Sequence, residues 1–270
     1  EVSSALAEIA GPGFAGWLVD WLSAPFAIVV DAVSYLVSAL SLAWIKKPEP
    51  APAAGDDREP VLSKLTSGLR LIFSKPVLRA ITFSAMTSNF AGGFYSALLV
   101  LYITRELGLS ALFLGVMYGV GSFSGVAATL LIKRLQKRFG VGPLFITANI
   151  LIGVGWLSIP LLSWYFEDPR PVILLGMLVA GFGNTTTNVT DTSLAQASAP
   201  FEQLGRYYAT AEFIGLGGLP IGSLLGGALG TLLGVRGGLI VGGCIMLTAF
   251  LWPLFSPLRK MKSLPSGSSG

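Results

Sequence analysis

The sequence contains no histidine, and its one cysteine, Cys244, sits inside an apolar run. The first absence excludes Ser-His-Asp catalysis, histidine metal sites and histidine proton relays. The second excludes an intrachain disulfide and a cysteine metal cluster. Neither a P-loop nor a paired-glycine nucleotide fingerprint opens any helix, so no cofactor, metal or enzymatic reaction is expected. Charge is scarce as well. Asp, Glu, Lys and Arg make up 12% of the 270 residues, against roughly 25% in a soluble domain. Hydrophobic residues supply 53%, and the mean hydropathy is +0.71. Such a chain cannot cover itself with a water-facing surface, so the fold class is an all-α polytopic membrane protein, with membrane lipids around it.

Apolar stretches of roughly 20 residues are long enough to cross a bilayer as helices. Eight are expected, at about 1–20, 25–45, 78–103, 110–133, 143–166, 171–197, 205–233 and 237–257. Four regions follow from them: two helices over 1–45, a polar linker with a surface helix over 46–76, six helices over 77–258, and a flexible tail over 259–270. The linker, "KKPEPAPAAGDDREP", is rich in Pro, Ala and charge. In the next stretch Leu62, Leu65, Leu69 and Ile72 recur at helical spacing, which predicts an amphipathic helix lying on the membrane. The tail ends in the linker-like "SLPSGSSG".

The net charge of +4 is no nucleic-acid signal here, because its distribution follows the membrane. Of 18 Lys and Arg residues, only Arg105, Arg170 and Arg236 fall on one side of the expected spans, and 15 fall on the other. The positive-inside rule puts the richer side, and both chain ends, in the cytoplasm. Glu1 is not followed by the basic region of a secretory signal.

Four carboxylates fall inside expected spans: Glu8, Asp31, Asp191 and Glu212. An ionised side chain at mid-bilayer costs about 3 kcal/mol or more, so such groups mark cavities, partners or proton sites. Each also has a structural reading as a hydrogen-bonded carboxyl; for Glu212 the neighbouring Arg206 offers an ion pair. Asp191 extends a polar stripe of Asn184, Thr187 and Asn188 on one helix face. Ser88, Asn89 and Tyr95, interleaved with Phe90 and Phe94, offer a mixed aromatic and weakly polar wall.

Glycine is the other conspicuous signal. Gly218, Gly222, Gly226, Gly230 and Gly234 recur every four residues, leaving one helix face bare for close packing. Gly11, Gly13 and Gly16 surround Pro12 in a shorter version of the same pattern. A proline at i cannot bond the carbonyl at i−4. Pro12 therefore frees the carbonyl of Glu8, and Pro220 frees that of Leu216. The first and seventh spans thus share a Gly-rich, Pro-centred design six helices apart, as duplicated transporter halves do.

Taken together, several stretches resemble the major facilitator superfamily, within it the bacterial branch that exports drugs and siderophores. "AGPGFAGWL" looks like the antiporter motif of that family's fifth helix, and "APFAIVVDAVSYLVSALSL" like its sixth. "LLIKRLQKRFGVG", with Lys133, Arg134, Lys137, Arg138 and Gly140, is similar to a degenerate basic loop motif between the eighth and ninth, lacking its acidic residue. "FEQLGRYYATAEFIGLGGLPIGSLLGGALG" resembles the eleventh. The resemblance implies helices five to twelve of a twelve-helix protein, with four amino-terminal helices outside this sequence. It also places the third and sixth spans among the cavity-lining helices.

The expected function is therefore secondary active export of a hydrophobic or amphipathic small molecule across the bacterial cytoplasmic membrane. Protons are the expected coupling ion, with Glu8, Asp191, Glu212 and Asp31 as candidate carriers. Ser88, Asn89, Tyr95, Asn184, Thr187 and Asn188 are candidate cavity residues. A lipid flippase or ion-independent facilitator is the alternative on the same fold, and a non-transporting membrane scaffold the alternative of another class.

Overall fold

The structure is a computed structural model that describes residues 24–44 and 61–264. The first expected span, with Glu8, Gly11, Pro12, Gly13 and Gly16, lies outside the described residues, as does the linker over 46–60. Helix α1 spans Ala24–Ala43, and Asp31 on it is exposed. Next come α2 (Val61–Ser74), α3 (Pro76–Leu101), α4 (Ala111–Phe139), α5 (Val141–Leu162), α6 (Arg170–Ser198), α7 (Leu204–Thr248) and a single turn, α8 (Leu251–Leu254). The 26 residues of α3 reach about 39 Å at 1.5 Å per residue, more than the roughly 30 Å hydrocarbon core. Among the described residues, five segments are long and apolar enough to cross a membrane.

Local signals set the helix ends. Pro76 opens α3 at a position where its missing N–H costs nothing. Ser110 caps α4, its hydroxyl accepting from the Phe113 N–H at 3.2 Å, and Gly140 ends that helix at φ +90°. Asp168 closes the turn before α6 by accepting from the Arg170 N–H and guanidinium at 3.1 and 2.8 Å. Those two bonds hold its carboxyl below the usual carboxylate range.

The segment containing α7 is 54 residues long, far more than one crossing needs. It doubles back at Gly234, whose φ of 78° and ψ of 160° suit glycine alone. Before the break, Gly218, Gly222, Gly226 and Gly230 follow α3 in parallel, against Met86, Phe90, Phe94 and Leu98 in turn. After it, Gly238, Gly242 and Gly243 meet Leu98, Phe94 and Tyr95 in the reverse order. The four-residue glycine stripe thus holds as a packing face through Gly230. Gly234, the fifth in the series, is the reversal point and touches no neighbour within 4 Å of where a Cβ would stand.

Small residues bring the other helices together, as in lipid, where no hydrophobic force separates helix from solvent. A Cβ on Gly181 of α6 would stand 2.2 Å from the Gly121 carbonyl oxygen of α4. One on Gly155 of α5 would stand 2.5 Å from the Gly176 carbonyl of α6. Buried hydroxyls add specific ties: Ser84 of α3 donates to Asn149 Oδ1 of α5 and to the Ala249 carbonyl, at 3.0 and 3.1 Å. Tyr102 and Ser163 share a hydrogen bond of 2.7 Å at the opposite end of the bundle.

Two expectations shift. The amphipathic helix does form, as α2, but it docks on the bundle: Ile72 is fully buried beside Leu78, Ile81 and Tyr207. Its buried edge is Gly68, Leu71 and Ile72, while Leu69 is 37% exposed. Gly68 permits this approach, since a Cβ there would overlap the Thr210 side chain. The expected tail also begins too early. Met261, its third residue, packs against the same core, and its carbonyl accepts from the Gly142 N–H at 2.9 Å.

Candidate functional site: a neutral cavity and an unpartnered carboxyl

A cavity of about 630 Å³ lies at mid-bundle among α3, α4 and α6, with α5 behind it. On α3, Ser88, Asn89, Gly92, Tyr95, Ser96 and Leu99 recur at three and four residues, so one helix face supplies that wall. Helix α4 contributes Tyr118, Ser122 and Thr129, and α6 contributes Met177, Asn184 and Thr185. Trp156 of α5 stacks at 4.6 Å, tilted, on the ring of Tyr95. Glycines give the wall its depth. On Gly125 a Cβ would strike the Thr185 hydroxyl at 2.4 Å, so α4 and α6 meet there without filling the space.

None of the lining residues is Asp, Glu, Lys or Arg. The wall offers hydroxyls, amides and three aromatic rings. Aromatic faces attract cations, by about 0.5 kcal/mol when exposed to 2 kcal/mol when desolvated, without demanding a fixed geometry. The Tyr95 hydroxyl is buried and has no hydrogen-bond partner among the described residues. It lies against Gly243 of α7, so the ring of Tyr95, not its hydroxyl, serves the wall.

Of the cavity residues expected from sequence, Ser88, Asn89, Tyr95 and Asn184 line the wall. Thr187 and Asn188, one turn farther along α6, lie past its end, and Asn188 is exposed. The stripe was read as one surface, yet a helix face is wide enough to meet two neighbours at once. The α4 wall and Trp156 were missed. Tyr118, Ser122 and Thr129 do repeat at three- to four-residue steps, but glycines and large apolar residues between them hide the pattern.

Asp191 lies seven residues beyond Asn184 on α6, about 10 Å along the helix. Its Oδ1 is buried without a hydrogen-bond partner, and so is the Thr187 hydroxyl one turn earlier. Around them, Thr190 accepts from the Gln136 amide at 3.5 Å, and Tyr207 meets Thr82 at 3.5 Å. Glu212 and Asp31 are exposed. Among the three described candidates, Asp31, Asp191 and Glu212, Asp191 is the one with a buried carboxyl oxygen, and it stands apart from the cavity wall.

The basic loop residues Lys133, Arg134, Lys137 and Arg138 are exposed at the end of α4. Gly140 follows them in a conformation that a side chain would strain. They share this end of the bundle with Arg79 and Arg206, at the starts of α3 and α7. Arg105, Arg170 and Arg236 are at the other end, where Arg236 donates to the Pro160 carbonyl at 2.8 Å and covers the Trp164 ring at 5.0 Å.

Comparison with known proteins agrees with this architecture. The chain is 26% identical over 271 residues to the multidrug efflux pump Tap of Mycolicibacterium fortuitum, covering 97% of this chain and 63% of the pump. It is 21% identical over 226 residues to the uncharacterized MFS-type transporter y4rN of Sinorhizobium fredii (strain NBRC 101917 / NGR234), covering 83% of this chain and 54% of that protein. The chain therefore spans somewhat more than half the length of these relatives. The pattern that defines the Major Facilitator Superfamily matches residues 1–218. With its helical, membrane-spanning bundle and that match, the chain belongs to the major facilitator superfamily.

Proposed function

We propose that the product of the gene encoding this chain is an exporter of amphipathic, hydrophobic small molecules, driven by proton exchange and working by alternating access. The observation that carries this reading is the cavity of about 630 Å³, aromatic and weakly polar, with no charge in its wall. Such a wall binds flat, lipophilic and cationic guests through ring faces and one or two hydrogen bonds, and does not select among them closely. The multidrug pump Tap is a similar protein, which supports the direction and the substrate class.

In this reading the basic end of the bundle faces the cytoplasm and the protein sits in the bacterial cytoplasmic membrane. Four further helices precede Glu1 and complete the cavity from the opposite side. Asp191, with Glu8 as the second candidate, carries the proton. A carboxyl in a dry pocket binds its proton when the pocket opens to the acidic side and releases it on the other. Substrate and proton then bias the same two-state element from separate sites, and the coupling between them is their differential affinity for its two states. The Gly-lined contact of α3 with α7 is the surface on which such a bundle can rock.

Cells expressing the gene and preloaded with ethidium test the proposal. Ethidium is expected to leave faster than from vector-only cells, and a protonophore is expected to stop the difference while ATP is maintained. Equal rates in both cell lines would overturn the export reading. Protonophore-resistant efflux would overturn the coupling.

A further inference from the structure

A second groove, of about 600 Å³, runs on the outer surface between the first three turns of α3 and the chain end. Its walls are antiparallel, since Gly238 meets Leu98, Gly242 meets Phe94 and the Ala249 carbonyl accepts from Ser84; the long Trp252 side chain reaches back, its indole N–H donating to Thr87 at 2.9 Å. Phe83 stacks on Trp252 at 5.0 Å, fixing the indole as one side of the groove. Leu251, Phe255 and Thr248 continue that side, and Phe255 is 80% exposed.

Along its length the groove changes character. At the end of the bundle where α3 starts, Arg79 lines it beside Ser256 and Pro257. The Arg79 guanidinium has no ion pair or hydrogen bond with the described residues, and Arg259 and Lys260 follow in the adjacent exposed turn. Two turns inward the lining carries no charge: Leu251 and the Trp252 ring lie there between Thr87 and Thr248. A cationic mouth at the membrane interface leading to an apolar trough toward the bilayer interior matches one chemistry, that of a phospholipid with a net negative headgroup.

We propose that this groove holds an anionic glycerophospholipid, its phosphate on Arg79 and one acyl chain laid between α3 and Trp252. Arginine suits the headgroup end because its planar fork bonds two phosphate oxygens at once. The bound lipid bridges α3, which lines the substrate cavity, to the last helix of the bundle. It thus ties the lipid composition of the membrane to a helix of the cavity wall.

Native mass spectrometry of the purified protein, titrated with phosphatidylglycerol or with phosphatidylcholine of the same acyl chains, tests the assignment. One arginine–headgroup contact is worth about 1 kcal/mol, or about a fivefold preference for phosphatidylglycerol. Arg79→Gln is expected to lose that preference and Arg79→Lys to keep part of it. Thr248→Trp, which fills the trough and leaves the charge, is expected to weaken retention of both lipids. A melting temperature equal to the parent's shows each variant to be folded. Unchanged phosphatidylglycerol preference in Arg79→Gln, or unchanged retention in Thr248→Trp, would overturn the proposal. So would displacement of the lipid by inorganic phosphate, which marks a headgroup-only anion site.

Discussion

Gly222→Val is expected to lower the melting temperature by roughly 10 °C, while Gly227→Ala, five residues along the same helix, leaves it intact. A Cβ on Gly222 would stand 1.9 Å from the Phe90 carbonyl oxygen, a backbone atom that no rotamer can move. Uncrowded carbon contacts need about 3.5 Å. Valine therefore forces α3 and α7 apart along the whole run from Gly218 to Gly230, and every contact in that seam loosens together. Overpacking a close contact costs about 1–3 kcal/mol and occasionally more. A seam of four glycines against one helix is the kind of site that gives the upper figure. At Gly227 nothing lies within 4 Å of the added atom. Alanine there instead gains up to about 1 kcal/mol of helix propensity. Thermal unfolding of the detergent-purified variants, followed by the loss of the monodisperse peak on size exclusion, reads both outcomes. Equal melting of Gly222→Val and the parent would show that the two helices do not pack in this register.

The second large effect is functional. Asp191→Asn is expected to abolish gradient-driven efflux while leaving substrate binding and protein level unchanged. The side chains are nearly isosteric, and the buried Oδ1 of Asp191 has no hydrogen-bond partner among the described residues to lose. Stability therefore changes little. What disappears is the ability to take up and release a proton, a contribution on the order of a hundredfold or more where proton transfer is part of the rate. Asp191 also stands off the cavity wall, so the purified variant keeps every contact the wall offers and should still bind ethidium. Efflux at the parental rate would return Asp191 to a structural role and leave Glu8 as the remaining proton candidate.

Much of this architecture was legible because a membrane helix writes its length into its composition. Expected spans at 143–166 and 171–197 fall within a few residues of Val141–Leu162 and Arg170–Ser198. Packing faces were legible where small residues repeat, as in Gly218 to Gly230. What spacing cannot carry is a backbone angle. Gly234 continues the four-residue rhythm although the expected spans at 205–233 and 237–257 leave it between two passes; its φ decides between the two readings and makes it the turn, not a fifth packing site. Nor does periodicity say which neighbour a face will meet. Asn184 and Asp191 share a stripe on α6, yet one lines the cavity and the other sits in its own pocket. The same limit hid Tyr118, Ser122 and Trp156, whose role depends on three other helices arriving beside them. Leu69 and Ile72 belong to one predicted stripe, but docking of α2 onto α7 through Gly68 buried only the second.

The cavity as the path of export is the centre of this account, and a plug tests it most directly. Ser122 lines the cavity from α4 and is half-buried, so tryptophan there projects into the space without entering a packed seam. Ethidium efflux from cells expressing Ser122→Trp, at a protein level matched to the parent, is the measurement. The account predicts efflux at the vector-only rate. Efflux equal to the parent's, with the plug in place, would contradict it.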